Sequence, residues 1–359
     1  MTIKLLIVDD SALMRRHLTT IFTTQGDFTI QTARNGQEAV EQNQLFLPDV
    51  ITLDINMPEM DGLTALALIN ATRPVPVVMF SSLTEKSALA TFEALALGAI
   101  DYLAKPEGTI SISIEVVENE IVRKVRAAAG ARIKPRAAKL LEKVALPRKE
   151  CGPERHAHSA LRSGNETAME GLVIIGVSTG GPGTLEEILP LLPGDYPLPV
   201  IVAQHMPRTF TGPFANRLNK MCALQVCEVD RPLPLMPGHI YIARGGADSL
   251  IAQRGGVLTV FSRPESSQHL WHPSVELLGR SVLEHCRAEY VIAVMLTGMG
   301  NDGADAFAEI KKQGGRTIAE AQQTAVVFGM PKELIDRNGA TLTLPAHKIA
   351  TQLIGWSRL

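Results

Sequence analysis

Short apolar runs of strand length recur at Lys4–Val8, Val50–Leu53, Val75–Phe80 and Ile100–Leu103. Between them apolar residues return at helical spacing. Met14, Leu18 and Ile21 share one such face, with Ser11 placed to cap the helix. Strands that alternate with helices predict a parallel sheet covered on both sides. The pattern breaks from Arg123 to about Gly171. Between Arg123 and Lys149 basic residues far outnumber acidic ones, and Ala and Pro interrupt any long periodicity, which reads as a solvated linker that can start as the tail of a helix. The pattern resumes at Leu172, with runs at Leu172–Gly176, Pro199–Ala203, His239–Ala243, Val257–Phe261, Tyr290–Thr297, Thr317–Ala319 and Ala340–Leu344. Helical stretches such as Gly183–Leu192, Ser274–His285 and Ala304–Gln313 lie between several of these. A second α/β unit with a doubly wound, mostly parallel sheet is expected, with a β-hairpin where 239–243 and 257–261 follow closely. The division is 1–123, a linker at 124–168, and 169–359.

Composition narrows the class. With 359 residues, 45% hydrophobic and 20% charged, the chain has enough material for two or three buried cores. A formal charge of −2 advertises neither a nucleic-acid nor a membrane surface. The apolar run near Met1 is too short for a signal-peptide core and no later run could span a bilayer, so a cytoplasmic location without membrane insertion is expected. Cys151, Cys222, Cys227 and Cys286 form neither a CxxC pair nor a His-rich cluster, and reduced, mostly buried thiols are expected.

Candidate chemistry collects at strand ends. Asp9 and Asp10 follow the first strand and Asp54 follows Val50–Leu53. Strand C-termini of an open parallel sheet share one crevice, so these carboxylates should meet there. Packed carboxylates demand a cation, and Mg²⁺ prefers oxygen ligands. Two further strand ends supply the Ser81 hydroxyl and the Lys105 ammonium, which suit a phosphoryl group on Asp54. Asp-Asp-Ser at 9–11, Leu53-Asp54-Ile55-Asn56-Met57-Pro58, Asp61-Gly62 and Lys105-Pro106 closely resemble the receiver domain of two-component response regulators, over Ile3 to about Val122. The resemblance implies a flavodoxin-like fold with Asp54 as phosphoacceptor. It implies Mg²⁺ bound by Asp10, Asp54 and the Asn56 carbonyl with Asp9 assisting through water, Ser81 as switch hydroxyl, and Tyr102 as the aromatic that reorients with it.

The second unit opens with Gly176-Val177-Ser178-Thr179-Gly180, a Gly-x-Ser-x-Gly turn between strand and helix. Such a turn exposes a serine hydroxyl and leaves helix N–H groups free for an oxyanion. His205 follows Val200–Ala203 and is the candidate base. His239, His269, His272, His285 and His347 are rivals, but none caps a parallel strand so clearly. Asp302, just past Tyr290–Thr297, is the candidate orienter of the imidazole. The order Ser, His, Asp departs from that of α/β-hydrolases, chymotrypsin and subtilisin. Ile175-Gly176-Val177-Ser178-Thr179-Gly180-Gly181, Gln204-His205-Met206-Pro207, Leu296–Gly303 and Val327–Pro331 resemble the signature segments of the chemotaxis protein-glutamate methylesterases. The likeness runs over roughly Leu172 to Ile354, and that family carries a receiver in front. It implies an esterase that removes methyl groups from receptor glutamates, and often deamidates glutamines, without a cofactor for that chemistry. The backbone N–H groups of Thr179 and Met299 become the oxyanion candidates. Methylated chemoreceptors become the expected substrates, and a chemotaxis histidine kinase the phosphodonor. One position departs from the pattern: His272 stands where the family usually has arginine before Pro-Ser.

Two rival functions share these residues. Gly298-x-Gly300-x-x-Gly303 follows a strand and precedes a helix, and Glu320 closes the next strand near the distance of a ribose-binding acid. A nicotinamide site would leave Ser178 and His205 idle. A DNA-binding output would need a basic recognition helix, and the second half carries none.

Overall fold

The computed structural model describes residues 2–82, 84–105, 114–131 and 171–357. The first unit runs β1 (Ile3–Val8), α1 (Ala12–Gln25), β2 (Phe28–Ala33), α2 (Gly36–Leu45), β3 (Val50–Asp54), α3 (Gly62–Thr72), β4 (Val77–Ser81), α4 (Glu85–Leu97), β5 (Asp101–Ala104) and α5 (Ile114–Ala129). Its sheet has the order β2-β1-β3-β4-β5, parallel throughout. This is the flavodoxin-like winding, whose crevice lies beyond the C-termini of β1 and β3. Side-chain caps start the helices: Ser11 accepts from Met14 N, Asn35 from Glu38 N and Asp61 from Thr64 N. Strand β2 is missing from the apolar pattern because it is an edge strand with most of its residues partly or fully exposed.

The second unit runs β6 (Leu172–Val177), α6 (Gly181–Ile188), β7 (Val200–Gln204), α7 (Arg208–Met221), β8 (Gln225–Glu228), β9 (Leu233–Pro234), β10 (His239–Ile242), β11 (Asp248–Arg254) and β12 (Val257–Arg263). It continues through α8 (Val275–His285), β13 (Val291–Met295), α9 (Ala304–Lys312), β14 (Arg316–Glu320), α10 (Met330–Asp336), β15 (Leu342–Leu344) and α11 (Ala346–Trp356). Seven strands form a parallel sheet in the order β15-β14-β13-β6-β7-β10-β8. The three central strands, β13, β6 and β7, are fully buried and almost wholly apolar.

The expected hairpin is corrected. The 239–242 strand does not pair with 257–263; it lies parallel between β7 and β8. The hairpin joins β11 to β12 through Gly255-Gly256, whose φ angles of 57° and 81° suit a two-residue turn, and β9 extends it to a three-stranded sheet. The run at 183–192 also ends earlier: α6 stops at Ile188 and a 3-10 turn spans Leu189–Leu191.

The two units touch along one face. Phe92 of α4 stacks on Phe214 of α7, with centroids 5.4 Å apart, and meets Phe210 edge-on. Tyr102 of β5 stacks on Phe210 at 4.7 Å. No helix among the described residues is long and apolar enough to cross a membrane.

Candidate active site

The register of β6 against β7 pairs Val177 with Gln204, so Ser178 and His205 leave the sheet side by side. His205 N donates to the Val177 carbonyl at 3.1 Å, and Ser178 N donates to the Thr297 carbonyl beyond β13 at 3.0 Å. Gln204 Nε2 bridges them from behind, donating to the carbonyls of Ser178 and His205 at 3.0 and 3.1 Å. The turn itself needs Gly180, which sits at φ +78° as N-cap of α6, where an added Cβ would lie 2.6 Å from Val326. Thr179 follows the serine at the helix entrance. Met299 lies across from it, in a loop that Val327–Met330 props: Gly298 N donates to Val327 O, and Gly329 N and Met330 N donate to Gly298 O.

His205 Nε2 is 2.8 Å from Asp302 Oδ2. Its Nδ1 is buried without a hydrogen-bond partner among the described residues. Asp302 is 5% exposed yet surrounded by donors. Val275 N and Glu276 N, the opening N–H groups of α8, reach it at 2.7 and 3.0 Å, and Ser274 Oγ at 3.0 Å. Burial pushes the Asp302 carboxyl up, but the His205 hydrogen bond and charge, with the two backbone donors, outweigh it. The group is held below the ordinary carboxylate range. A helix N-terminus is a natural seat for such an anion. The Trp271 ring lies parallel to the His205 imidazole, with centroids 5.5 Å apart at 2°.

In the first unit Asp9, Asp10 and Asp54 offer carboxylate oxygens within 4.8 Å of one another. Lys105 Nζ lies 3.0 Å from Asp9 and 2.8 Å from Asp54. Burial pushes the Asp54 carboxyl up and Asp9 adds to this, while Lys105 opposes them; the net shift is upward. One lysine therefore leaves two buried carboxylates short of positive charge, and a divalent cation fits that deficit. Ser81 does not point its hydrogen bond at Asp54: Thr91 Oγ1 of α4 donates to it at 3.0 Å. Tyr102 is buried, its ring against Phe210 and its hydroxyl without a partner among the described residues.

Residues of the first unit reach the second site itself. Thr179 Oγ1 donates to Asp101 Oδ2 of β5 at 2.7 Å, so the residue after Ser178 is held from across the interface. The Arg123 guanidinium of α5 lies 5.4 Å from the centre of the Trp271 ring. Neither contact has a sequence signal, because Asp101, Arg123 and Trp271 match no motif of either unit.

The nicotinamide reading does not survive. Glu320 is fully buried, with Oε2 accepting from Thr297 N at 2.8 Å, so it anchors a strand end and faces no ribose. Gly300 is required by close approach: a Cβ there would come within 2.9 Å of Trp271. Cys222, Cys227 and Cys286 are free and partly buried against the cores, and burial pushes each thiol up; Cys151 lies outside the described residues. Among the rival histidines, the His239 ring bonds to the Pro237 carbonyl, His269 Nδ1 lies 3.4 Å from Ser274 Oγ, and His272 pairs with Asp248 at 2.9 Å.

Comparison with known proteins agrees with both halves. Residues 173–353 match the CheB methylesterase family and 5–116 the response regulator receiver domain family. A protein-glutamate methylesterase/protein-glutamine glutaminase of Rhodospirillum rubrum is 54% identical over 98% of this chain and 96% of its own. One from Rhodopseudomonas palustris is 48% identical over 99% and 98%. The crystal structure of the Thermotoga maritima CheB methylesterase catalytic domain superposes with a TM-score of 0.50 at 39% identity, covering 52% of this chain and 98% of that one. The chain belongs to the CheB methylesterase family, with a response regulator receiver domain joined in front of the esterase domain.

Proposed function

We propose that this chain hydrolyses glutamate methyl esters on chemoreceptors, and deamidates glutamines at such sites, with Ser178 as nucleophile, His205 as base and Asp302 as the group that orients and charges-balances the imidazole. The observation that carries this reading is the His205–Asp302 pair beside Ser178, with His205 Nδ1 the nitrogen left open. Because Asp302 takes Nε2–H, the proton of Ser178 passes to Nδ1, the reverse of the ring orientation in chymotrypsin-like enzymes. Ser178 Oγ attacks the ester carbonyl, and the oxyanion is met by the N–H groups of Thr179 and Met299. Collapse expels methanol, or ammonia from a glutamine, with the proton returned from Nδ1. Water, deprotonated by the same nitrogen, then releases the glutamate and frees Ser178.

The receiver, taken as residues 1–123 with a linker to 168, controls this site. Asp54 accepts a phosphoryl group from a histidine kinase. Asp9, Asp10, Asp54 and the Asn56 carbonyl are the residues to hold Mg²⁺, which when bound would balance charge on the phosphoryl oxygens. Lys105 meets the phosphoryl group, and Ser81 turns to it from Thr91. Tyr102 follows, leaving its stack on Phe210, and the docked receiver loosens from the catalytic face. Support comes from the docked contacts at Thr179, the residue after Ser178, and at Trp271, the ring stacked on His205. A ten-fold activation needs only about 1.4 kcal/mol of differential stability.

Methanol release from a methylated receptor tests the chemistry. Ser178→Ala is expected to lower turnover by about 100,000-fold or more, since no other group forms the acyl-enzyme. Wild-type turnover in that variant would end this reading.

A further inference from the structure

Asp248, the first residue of β11, is a fully buried carboxylate that belongs to none of the family segments noted above in sequence. Three donors converge on it: Ser266 N at 2.9 Å on one oxygen, then Ser274 N at 3.1 Å and His272 Nδ1 at 2.9 Å on the other. The two backbone donors are the ends of the 266–274 loop, so one carboxylate closes that loop. Two residues of the loop touch the proposed base and its partner. Trp271 stacks on His205, and Ser274 donates to Asp302 while accepting the Leu277 N–H as N-cap of α8.

Of the three donors on Asp248, only His272 is a side chain. A buried carboxylate facing two backbone N–H groups has acceptor capacity to spare, and a third donor stabilises it. Loss of that donor would leave Asp248 short of a partner in a site closed to water. The loop ends would relax, and with them the Trp271 stack and the Ser274 hydrogen bond. We infer that His272 is a positioning residue for the esterase, acting through Asp248 and the 266–274 loop to set His205 and Asp302 in register. This rests on the proposed roles of His205 and Asp302. It assigns a purpose to the one position where the chain departs from the family's usual arginine.

The full-length protein in a Trp356→Phe background provides two readouts, because Trp271 is then its only tryptophan. Methanol release gives kcat and KM, and indole emission reports what lies against the Trp271 ring. His272→Ala is expected to lower kcat by about 10- to 100-fold with KM within about three-fold, a size typical of small misplacement of catalytic groups. Trp271 emission should change in the same variant. His272→Arg, which keeps an N–H donor toward Asp248, should recover both to within about three-fold of the parent. The inference is overturned if His272→Ala keeps its kcat, or if kcat falls while the emission is unchanged. Should His272→Ala fail to fold, His272→Arg decides alone: a folded His272→Arg with emission unlike the parent's, or kcat down ten-fold, refutes the inference. Ser178→Ala separates this from the esterase reading, since it should silence turnover and leave the emission of Trp271 in place.

Discussion

At the scale of single residues, Asp302 shows how a buried acid stays ionised. Its two oxygens meet four donors, so replacement by asparagine would set an NH₂ against a donor whichever way the amide turned. Asp302→Asn should therefore lower kcat by roughly 1,000- to 10,000-fold, less than Ser178→Ala because nucleophile and base survive. The lowered folded-state pKa also fixes a sign for stability. The carboxylate stabilises the fold above the unfolded carboxylate range, and that contribution is lost as pH falls through the lower folded value. The thermal-stability gap between wild type and Asp302→Asn should thus narrow as pH drops below about 4. A gap that widened in acid would contradict the ionised Asp302 described above. Ser178, His205 and Asp302 are legible in the sequence because each follows a short apolar run whose end can be read. Asp248 and Trp271 are not, because their roles come from donors and rings supplied by distant parts of the chain.

At the scale of elements, the central strands announce themselves and the margins do not. Buried β6, β7 and β13 read as continuous apolar runs. β8 and β11 mix exposed and buried positions, and their pairing depends on the turn at Gly255-Gly256 and on a crossover that no local pattern records. Helices α4 and α7 carry a further consequence. Phe92 makes two aromatic contacts across the interface, and such pairs contribute about 0.5–1.5 kcal/mol each beyond area burial. With the docked form dominant, removing both pairs should raise the unstimulated rate roughly 5- to 150-fold. Phe92→Ala in full-length protein, assayed for methanol release without phosphodonor, is the measurement. An unchanged or lower rate would mean that the α4–α7 contact does not restrain the enzyme.

For the whole molecule, the proposed restraint makes opposite demands on two variants. A fragment from about Glu166 to Leu359 lacks the receiver and should outpace the unphosphorylated full-length enzyme. Asp54→Asn keeps the receiver docked and should abolish stimulation by a small phosphodonor with Mg²⁺ while leaving basal turnover. A fragment slower than the unphosphorylated chain would refute simple obstruction and give the receiver a positive part in catalysis. The contact between Thr179 and Asp101 bears on something else, the freedom of these two domains to be recombined. Receivers are built on a common fold and invite use as interchangeable cassettes. Here the cassette's own carboxylate completes the hydrogen bonding of the residue next to Ser178, the proposed nucleophile. A foreign receiver lacking an acceptor at that place would leave the Thr179 hydroxyl to find another partner. Its neighbours include the peptide that presents Ser178. Grafting a new sensor input onto this esterase therefore means carrying Asp101 along, or re-optimising the Ser178 turn itself.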